Sequence, residues 1–272
     1  MTSKSSSMKA VLKQAVEDQG LSVATGKLLS APDVGEQIQD ALGIQADQVH
    51  QDQVTLVTFL IDDSGSIAAA GNEKAVTDGH NIVIDALVGT KQKDGILMHT
   101  RYLNGAVLFP YQKIEDAIRM DKKNYSAMGG TPLYDQSVVI LGSVIAEVQN
   151  LAGNGIQVRS VTVIVTDGHD EHSRRNTAAD VKKVVRDMGE DHIVAAIGID
   201  DGGTDFRKVF GDMGVQDKWI IVIDPSDPKK QQSDIRKAFQ MVSQSAVRAS
   251  QGAMNFSKTA MGGFGVSVAQ KP

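Results

Sequence analysis

The sequence predicts an α/β fold: a doubly wound, mostly parallel six-stranded sheet with helices on both faces. From Val54 onward, apolar runs of strand length alternate with longer helical patterns, which is typical of such a sheet. Residues 54–61 form a nearly unbroken apolar run, as expected for a central strand that is covered on both faces. Asn104-Gly105 separates residues 99–103 from residues 106–109, and this dipeptide favours a tight hairpin. The hairpin adds one antiparallel edge strand.

The first 53 residues form a helical and polar extension before the sheet. Residues 8–18 have weak helical periodicity, and Asp33 is placed to cap a second helix over residues 34–42. Gln and Asp dominate residues 45–53, which predicts a polar connector. Two interpretations remain open, a helical pair packed on the main domain and a docking element for a partner.

The main domain is predicted over residues 54–250. Its further strands are expected at residues 158–166, 192–199 and 219–224. Its helices are expected at residues 72–87, 133–151, 177–188 and 233–247. Ser233 or Asp234 is the expected cap of the last helix. Residues 251–272 are rich in Gly, Ser, Ala and Met, which predicts a flexible tail.

Composition limits the class of protein. The 272 residues are 41% hydrophobic and 22% charged, a globular balance. The net charge of −5 argues against nucleic acid as the main partner. The chain has no Cys, which excludes disulfides, thiolate zinc sites and Cys nucleophiles. The first residues lack the apolar core of a secretion signal and no run is long enough to span a membrane, so we expect a cytoplasmic protein without membrane attachment.

Three polar segments follow predicted strands or precede a predicted helix. Asp62-Asp63-Ser64-Gly65-Ser66 comes directly after the first strand and places carboxylates and hydroxyls on one loop. Thr131 lies on a Gly-rich loop before a long helix, and Asp167 ends a later apolar strand. Because loops at the carboxyl ends of parallel strands converge on one crevice, these segments can meet. Their oxygen ligands suit Mg²⁺ better than Zn²⁺.

With these motifs the chain resembles the von Willebrand factor A (VWA) family, whose metal-ion-dependent adhesion site combines an Asp-x-Ser-x-Ser loop, a Thr loop and an Asp loop. The resemblance implies that the metal ligands are Asp62, Ser64, Ser66, Thr131 and Asp167. It also implies a strand order of 3-2-1-4-5-6 with the metal above strands 1 and 4. The expected ion is Mg²⁺, with Mn²⁺ and Ca²⁺ as alternatives. One of the two carboxylates is expected to reach it through water.

The same resemblance implies a binding role. A partner's Asp or Glu would complete the metal shell, and intracellular VWA proteins commonly act beside AAA+ ATPases as in metal chelatases, in stress operons of the tellurium-resistance type, or with kinase and phosphatase neighbours. The prediction is a non-enzymatic, metal-dependent protein-binding module in an intracellular assembly, with an adaptor subunit of an AAA+ ATPase complex as one alternative.

A Mg²⁺-dependent phosphate hydrolase is the alternative from the enzyme class. Haloacid-dehalogenase-type enzymes need Asp-x-Asp, and here the third residue is Ser64, a hydroxyl that cannot act as an acid or base near neutral pH. The chain has no Walker-type phosphate loop and no Gly-x-Ser-x-Gly elbow after a strand. No nucleophile or general base can be named, so the prediction is that the protein is not an enzyme.

Other polar residues are given structural interpretations. Asp63 is taken as a loop carboxylate, and His80 as a helix residue that packs or hydrogen-bonds. The cluster at residues 169–172 is interpreted as a solvated rim, with a second metal or a proton-transfer role as the alternative. Asp200, Asp201 and Asp205 are interpreted as a turn with a helix cap, with an accessory Ca²⁺ site as the alternative.

Overall fold

The sheet of the computed structural model has six strands in the order β3-β2-β1-β4-β5-β6. The structure describes residues 2–200, 202–224, 227–251 and 263–264. The strands are β1 (Gln53–Ile61), β2 (Ile96–Tyr102), β3 (Val107–Lys113), β4 (Gln157–Thr166), β5 (His192–Ile199) and β6 (Ile220–Ile223). The β2–β3 pair is antiparallel and the other four neighbouring pairs are parallel. The predicted fold class, strand order and antiparallel edge strand are confirmed.

Nine α-helices surround this sheet within the described residues. They are α1 (Thr2–Asp18), α2 (Val23–Leu29), α3 (Pro32–Gln39), α4 (Gly65–Ala69), α5 (Glu73–Val88), α6 (Leu133–Ala152), α7 (Ala178–Asp187), α8 (Phe206–Asp212) and α9 (Pro228–Gln251). The predicted bounds of α5, α6 and α7 are right to within one residue. Helices α2, α4 and α8 were not predicted, because five to seven residues are too short to show a helical period.

The expected caps of α9 and α3 are wrong, for the same physical reason. Helix α9 begins at Pro228 rather than at Ser233, and Asp227 Oδ1 accepts the first-turn N–H of Lys229 at 2.9 Å. Helix α3 begins at Pro32, so Asp33 lies inside its first turn. Proline is favoured at the first helical position because its φ is already helical and its missing N–H is not needed there. A proline therefore starts both helices.

Helix α3 also ends earlier than predicted, at Gln39 instead of residue 42. The chain after it turns to run beside the edge strand β3. Tyr111 N donates to Ala41 O at 2.7 Å, and Ile44 N donates to Tyr111 O at 2.9 Å. These bonds cover part of an otherwise open sheet edge, where unpaired backbone groups are a liability.

The extension packs on α6, the most deeply buried helix. One side of α6 contacts β1 and β4, and helices α1, α2 and α3 also pack against it. The approach is closest at Gly142, where an added Cβ would lie 2.5 Å from Ile38 Cδ1 and 2.8 Å from Leu29 Cδ2. Because α6 is covered on both sides, its strongly apolar sequence needs no polar face.

We therefore expect Gly142→Ala to lower the free energy of unfolding by about 1–2 kcal/mol, because overpacking outweighs the gain in helix propensity. Gly35→Ala in α3 is the matched control, since nothing lies within 4 Å of its added Cβ. That substitution should stabilise the protein by up to ~1 kcal/mol. Urea denaturation of both variants is the measurement, and equal effects of the two would contradict the close packing of the extension on α6.

On the other face of the sheet, α5 and α9 pack together over β1. Gly79 admits the ring of Phe239, which stacks on Phe59 with 5.9 Å between ring centroids. His80 is fully buried, and its Nε2 lies 2.9 Å from Thr100 Oγ1. Burial lowers the pKa of His80 to about 4. The structural interpretation of His80 is confirmed.

The C-terminal end of the chain is described only in part. The predicted flexible tail falls mainly on residues 252–262 and 265–272, which lie outside the described residues. Gln251 is the last residue of α9, and Phe264 packs edge-on against Trp219 with 5.3 Å between ring centroids. Within the described residues, none of the helices combines the length and apolar character that crossing a bilayer requires.

Candidate metal centre

The loops after β1 and β4 lie side by side at the carboxyl edge of the sheet. Ile61 pairs with Val165 at the ends of these two strands, and Asp62 N donates to Val165 O at 2.9 Å. The parallel pairing therefore continues for one residue into the loops. As a result, the side chain of Asp62 lies beside Thr166 and Asp167, as the topology predicted.

Asp62 is fully buried, and both oxygens of its carboxylate accept protein hydrogen bonds. Oδ1 accepts Ser64 N at 2.7 Å, the local turn that Asp commonly forms with the residue two positions later. Oδ2 accepts Thr166 Oγ1 at 2.6 Å and Asp167 N at 3.4 Å. Asp62 thus ties the two loops together, with three donors around one carboxylate.

Three side-chain oxygens converge between the two loops that Asp62 ties together. Ser64 Oγ lies 2.8 Å from Ser66 Oγ. Ser66 Oγ donates to Asp167 Oδ1 at 2.7 Å, and Ser64 Oγ lies 3.4 Å from the same atom. Ser66 is exposed while Ser64 and Asp167 are buried, so the cluster opens to solvent on the Ser66 side. Of the five predicted ligands, Asp62, Ser64, Ser66 and Asp167 are linked by direct hydrogen bonds.

Thr131 reaches the site through its backbone neighbours. Ser64 and Gly129 form an isolated parallel β-bridge, in which Gly65 N donates to Gly129 O at 3.2 Å. Gly129 N in turn donates to Asp63 O at 2.8 Å. Thr131 itself is only 6% exposed. The structure places it two residues beyond this bridge, with no hydrogen bond between its hydroxyl and the other four predicted ligands.

Asp63 connects the Asp62 loop to the β2–β3 hairpin. Its Oδ1 accepts Asn104 N at 3.0 Å, which fastens the β2–β3 hairpin to the Asp62 loop. Burial raises the pKa of Asp63 to about 6, although the Asn104 N–H opposes the shift, and the neighbouring Asp62 charge adds to it. Asp63 is therefore a loop carboxylate with a defined structural partner, in agreement with the interpretation from sequence.

Tyr125 was missed by the sequence analysis. Its hydroxyl donates to the backbone oxygen of Asp62 at 2.6 Å, and its ring lies 5.5 Å from that of Tyr102. It is 5% exposed, and burial followed by the nearby Asp62 charge raises the pKa of its phenol. No local pattern identifies such a residue, because Tyr125 and Asp62 are far apart in the chain.

The segment after Asp167 is bonded to the first turn of α6. Asp170 Oδ1 accepts Tyr134 N at 3.1 Å, and Ser173 Oγ accepts Asp135 N at 2.9 Å. In the reverse direction, Asp135 accepts three backbone N–H groups of residues 174–176, at distances of 2.8, 3.3 and 2.8 Å. The start of α6 and the segment at residues 170–176 thus hold each other in place.

The solvated-rim interpretation of residues 169–172 is correct for two of them and incomplete for the others. His169 and Glu171 have side chains 61% and 58% exposed, with 3.7 Å between His169 Nε2 and Glu171 Oε1. Asp170 binds the start of α6, as described above. His172 is exposed, but its Nδ1 accepts Thr131 N at 3.0 Å.

The Asp-rich segment after β5 forms a turn and a helix cap. Asp200 Oδ1 accepts Gly202 N at 2.8 Å, and Asp205 Oδ1 accepts Lys208 N at 3.1 Å at the start of α8. The cap prediction is confirmed for Asp205, and Asp201 lies outside the described residues.

The donor set fits a hard divalent cation. Asp62, Ser64, Ser66, Thr131 and Asp167 supply only carboxylate and hydroxyl oxygens, the ligands that Mg²⁺ and Ca²⁺ prefer. Among the described residues, no cluster of three or more His, Asp or Glu side chains is placed to hold a metal. The close approach of Ser64, Ser66 and Asp167 gives three oxygens around one point.

Comparison with known proteins bears on the fold alone. No family model matches the sequence, and no curated protein matches it. Among solved structures, the chain is similar to the pilus adhesin SpaC from Lactobacillus rhamnosus GG in an open conformation, at 13% identity and a TM-score of 0.50, over 73% of this chain and 30% of that one.

It is also similar to proximal thread matrix protein 1 from the mussel byssus, at 15% identity and a TM-score of 0.46, over 80% of this chain and 52% of that one. Another structure of the mussel protein has a zinc-occupied MIDAS motif, at 14% identity and a TM-score of 0.47. This chain thus spans about half of the mussel protein and less than a third of the adhesin. At 13% identity and a TM-score of 0.50, the similarity to the adhesin supports the doubly wound α/β fold and nothing beyond it.

Proposed function

We propose that this chain is a non-enzymatic protein-binding module that depends on a divalent cation, Mg²⁺ in the first place, and that recognises an acidic residue of its partner. The observation that carries the proposal is the convergence of Ser64 Oγ, Ser66 Oγ and Asp167 Oδ1, which lie 2.7–3.4 Å apart. Thr131 on the adjoining loop would complete the ligand set.

The hydrogen bonds of Asp62 support different roles for the two carboxylates. Asp62 directs both oxygens at protein donors, whereas Asp167 accepts from both serines. We assign Asp167 to direct contact with the cation and Asp62 to contact through water. In this assignment Asp167 is the one carboxylate in direct contact and the hydroxyl ligands are neutral, so the inner shell of a bound Mg²⁺ would keep positive charge with which to attract a partner's carboxylate.

The proposed binding activity belongs to a cellular assembly. We place the protein in the cytoplasm, in a multi-protein assembly of the kind that includes an AAA+ ATPase, a kinase or a phosphatase, with a stress-response system as one such assembly. The absence of a Walker-type loop in the sequence means that a partner, rather than this chain, would supply any ATP hydrolysis.

The test is capture of partners on immobilised protein in Mg²⁺ and in EDTA. Asp167→Asn should lose the partners that wild type holds only in Mg²⁺, and should bind Mg²⁺ at least tenfold more weakly by calorimetry, because it removes a charged ligand. Glu171→Gln is the matched control: it removes one negative charge from an exposed position in the same loop and should leave both measurements unchanged.

Two outcomes would contradict the proposal. One is an unchanged set of captured partners in Mg²⁺, in EDTA and with Asp167→Asn. The other is Mg²⁺-dependent turnover of a phosphate ester such as p-nitrophenyl phosphate that disappears in Asp167→Asn, which would favour the phosphate hydrolase.

A further inference from the structure

We propose that His172 is a positioning residue that holds the Thr131 loop against the metal centre. The predicted effect of His172 on metal affinity rests on the proposed function, whereas its contacts with Thr131 do not. Thr131 N donates to His172 Nδ1 at 3.0 Å. In the opposite direction, the backbone N–H of His172 donates to Thr131 O at 3.3 Å, and Glu171 N donates to the same oxygen at 3.2 Å. Both backbone polar groups of Thr131 are therefore held by residues 171–172.

The ring of His172 also packs on the glycine before Thr131. A Cβ added at Gly130 would lie 2.8 Å from His172 Cγ and 2.9 Å from Nδ1. Only glycine allows the ring this close to the loop backbone. The contact and the hydrogen bond act together, because the ring that lies over Gly130 also accepts the N–H of Thr131.

The hydrogen bond dictates the tautomer of His172. Because Nδ1 accepts the Thr131 N–H, it has no proton in the neutral ring, and the proton is on Nε2. His169, three residues earlier in the same loop, makes no such contact with the Thr loop: its side chain is 61% exposed and lies 3.7 Å from Glu171. The two histidines of one loop thus differ in role, and His169 serves as the control for His172.

Metal centres depend on residues that orient the ligands. Thr131 is the only predicted ligand whose hydroxyl has no hydrogen bond to the other four in the described structure, so its position depends on the backbone contacts of its loop. The loop is held by the bridge of Gly129 with Ser64, by the two backbone bonds to Thr131 O, and by the ring of His172. A side-chain substitution of His172 keeps the backbone bonds but releases Thr131 N and Gly130, which should weaken metal binding without removing a ligand.

The first experiment measures Mg²⁺ affinity by calorimetry for four variants. His172→Ala removes ring and acceptor, and His172→Phe keeps a ring over Gly130 but has no acceptor; each should weaken Mg²⁺ binding by about tenfold. His172→Asn keeps an acceptor oxygen close to the position of Nδ1 and should restore most of the affinity. His169→Ala should bind Mg²⁺ as wild type does.

The second experiment needs no metal. Long-range ¹H–¹⁵N correlation of the histidine rings in EDTA, at a pH where they are neutral, should show the proton of His172 on Nε2, and the Thr131 amide signal should shift in His172→Phe but not in His169→Ala. A wild-type protein that takes up no Mg²⁺ would overturn the proposed function. The spectrum would then still test whether His172 holds the Thr131 loop.

Two outcomes would overturn the inference itself. One is a proton on Nδ1 of His172 in the neutral ring. The other is a Mg²⁺ affinity of His172→Ala and His172→Phe equal to that of wild type; a lower unfolding midpoint of these variants in EDTA beside that result would mean that His172 serves the fold and not the metal centre.

Discussion

Asp62→Ala is expected to weaken Mg²⁺ binding by about 10–100-fold and to lower the free energy of unfolding by about 2–4 kcal/mol, even in EDTA. The substitution leaves two buried backbone donors without their acceptor, Ser64 N and Asp167 N, and leaves the Thr166 hydroxyl with Gly168 O as its remaining acceptor, at 3.1 Å. Each unsatisfied buried donor costs about 1–3 kcal/mol, and entry of water into the space recovers part of that sum. Calorimetry with Mg²⁺ and urea denaturation in EDTA measure the two effects.

Asp62→Asn separates the two effects. The amide keeps an oxygen that accepts Ser64 N, but it removes the charge and places an NH₂ group where Asp167 N donates now. Asp62→Asn should therefore lose most of the Mg²⁺ affinity while it loses less stability than Asp62→Ala. Wild-type affinity in Asp62→Ala would show that the cation binds elsewhere and would overturn the proposed centre.

The sheet could be predicted from the sequence because a buried parallel strand carries its signal locally. The runs at β1, β4 and β5 are apolar on both faces, and Asn104-Gly105 specifies the hairpin between β2 and β3. The starts of α3 and α9 were misplaced although their signal, a proline at the first helical position, is present in the sequence. The misplaced starts were at capping-type residues, Asp33 for α3 and Ser233 or Asp234 for α9, which also occur inside helices, whereas a proline at the first helical position does not compete with a helical N–H.

The centre was predictable only as far as the topology brings the loop ends together. Strand pairing puts Asp62 beside Asp167, and the spacing of Ser64 and Ser66 places them in the same loop. The contacts of Tyr125 with Asp62 and of His172 with Thr131 join loops that are distant in the chain, and neither has a local pattern. The sequence can thus indicate which candidate ligands lie close together, whereas the residues that orient them depend on tertiary structure.

Substitution of Glu147 is also expected to change stability strongly, because this residue of α6 buries a carboxyl group that has few hydrogen bonds. It is fully buried, and its Oε1 has no hydrogen-bond partner among the described residues. Oε2 lies 3.5 Å from Asn150 Nδ2, a long contact. Burial raises the pKa of Glu147 from 4.5 to about 7, and the Asn150 amide opposes the shift only in part. The folded protein therefore favours the protonated, neutral form.

The sign of the pH dependence follows from that shift. Since the folded pKa lies above the unfolded one, ionisation of Glu147 takes no stability away below about pH 4.5, and stability is lost as the pH rises from there through about 7. The shift corresponds to about 3 kcal/mol above that range. Glu147→Gln stays neutral at every pH and has nearly the same shape. We expect it to match wild type near pH 4.5 and to exceed it by about 1–3 kcal/mol at pH 8, the lower end allowing for a buried amide without a full set of partners.

Urea denaturation of wild type and Glu147→Gln across this pH range measures the difference directly. Glu17→Gln, at an exposed position of α1, is the matched control and should give a difference that does not change with pH. A constant difference for Glu147→Gln as well would mean that the buried carboxyl is not raised in pKa and that polar groups or water around α6 stabilise its charge. A difference that grows with pH would instead identify Glu147 as a group that limits the stability of this fold above neutral pH.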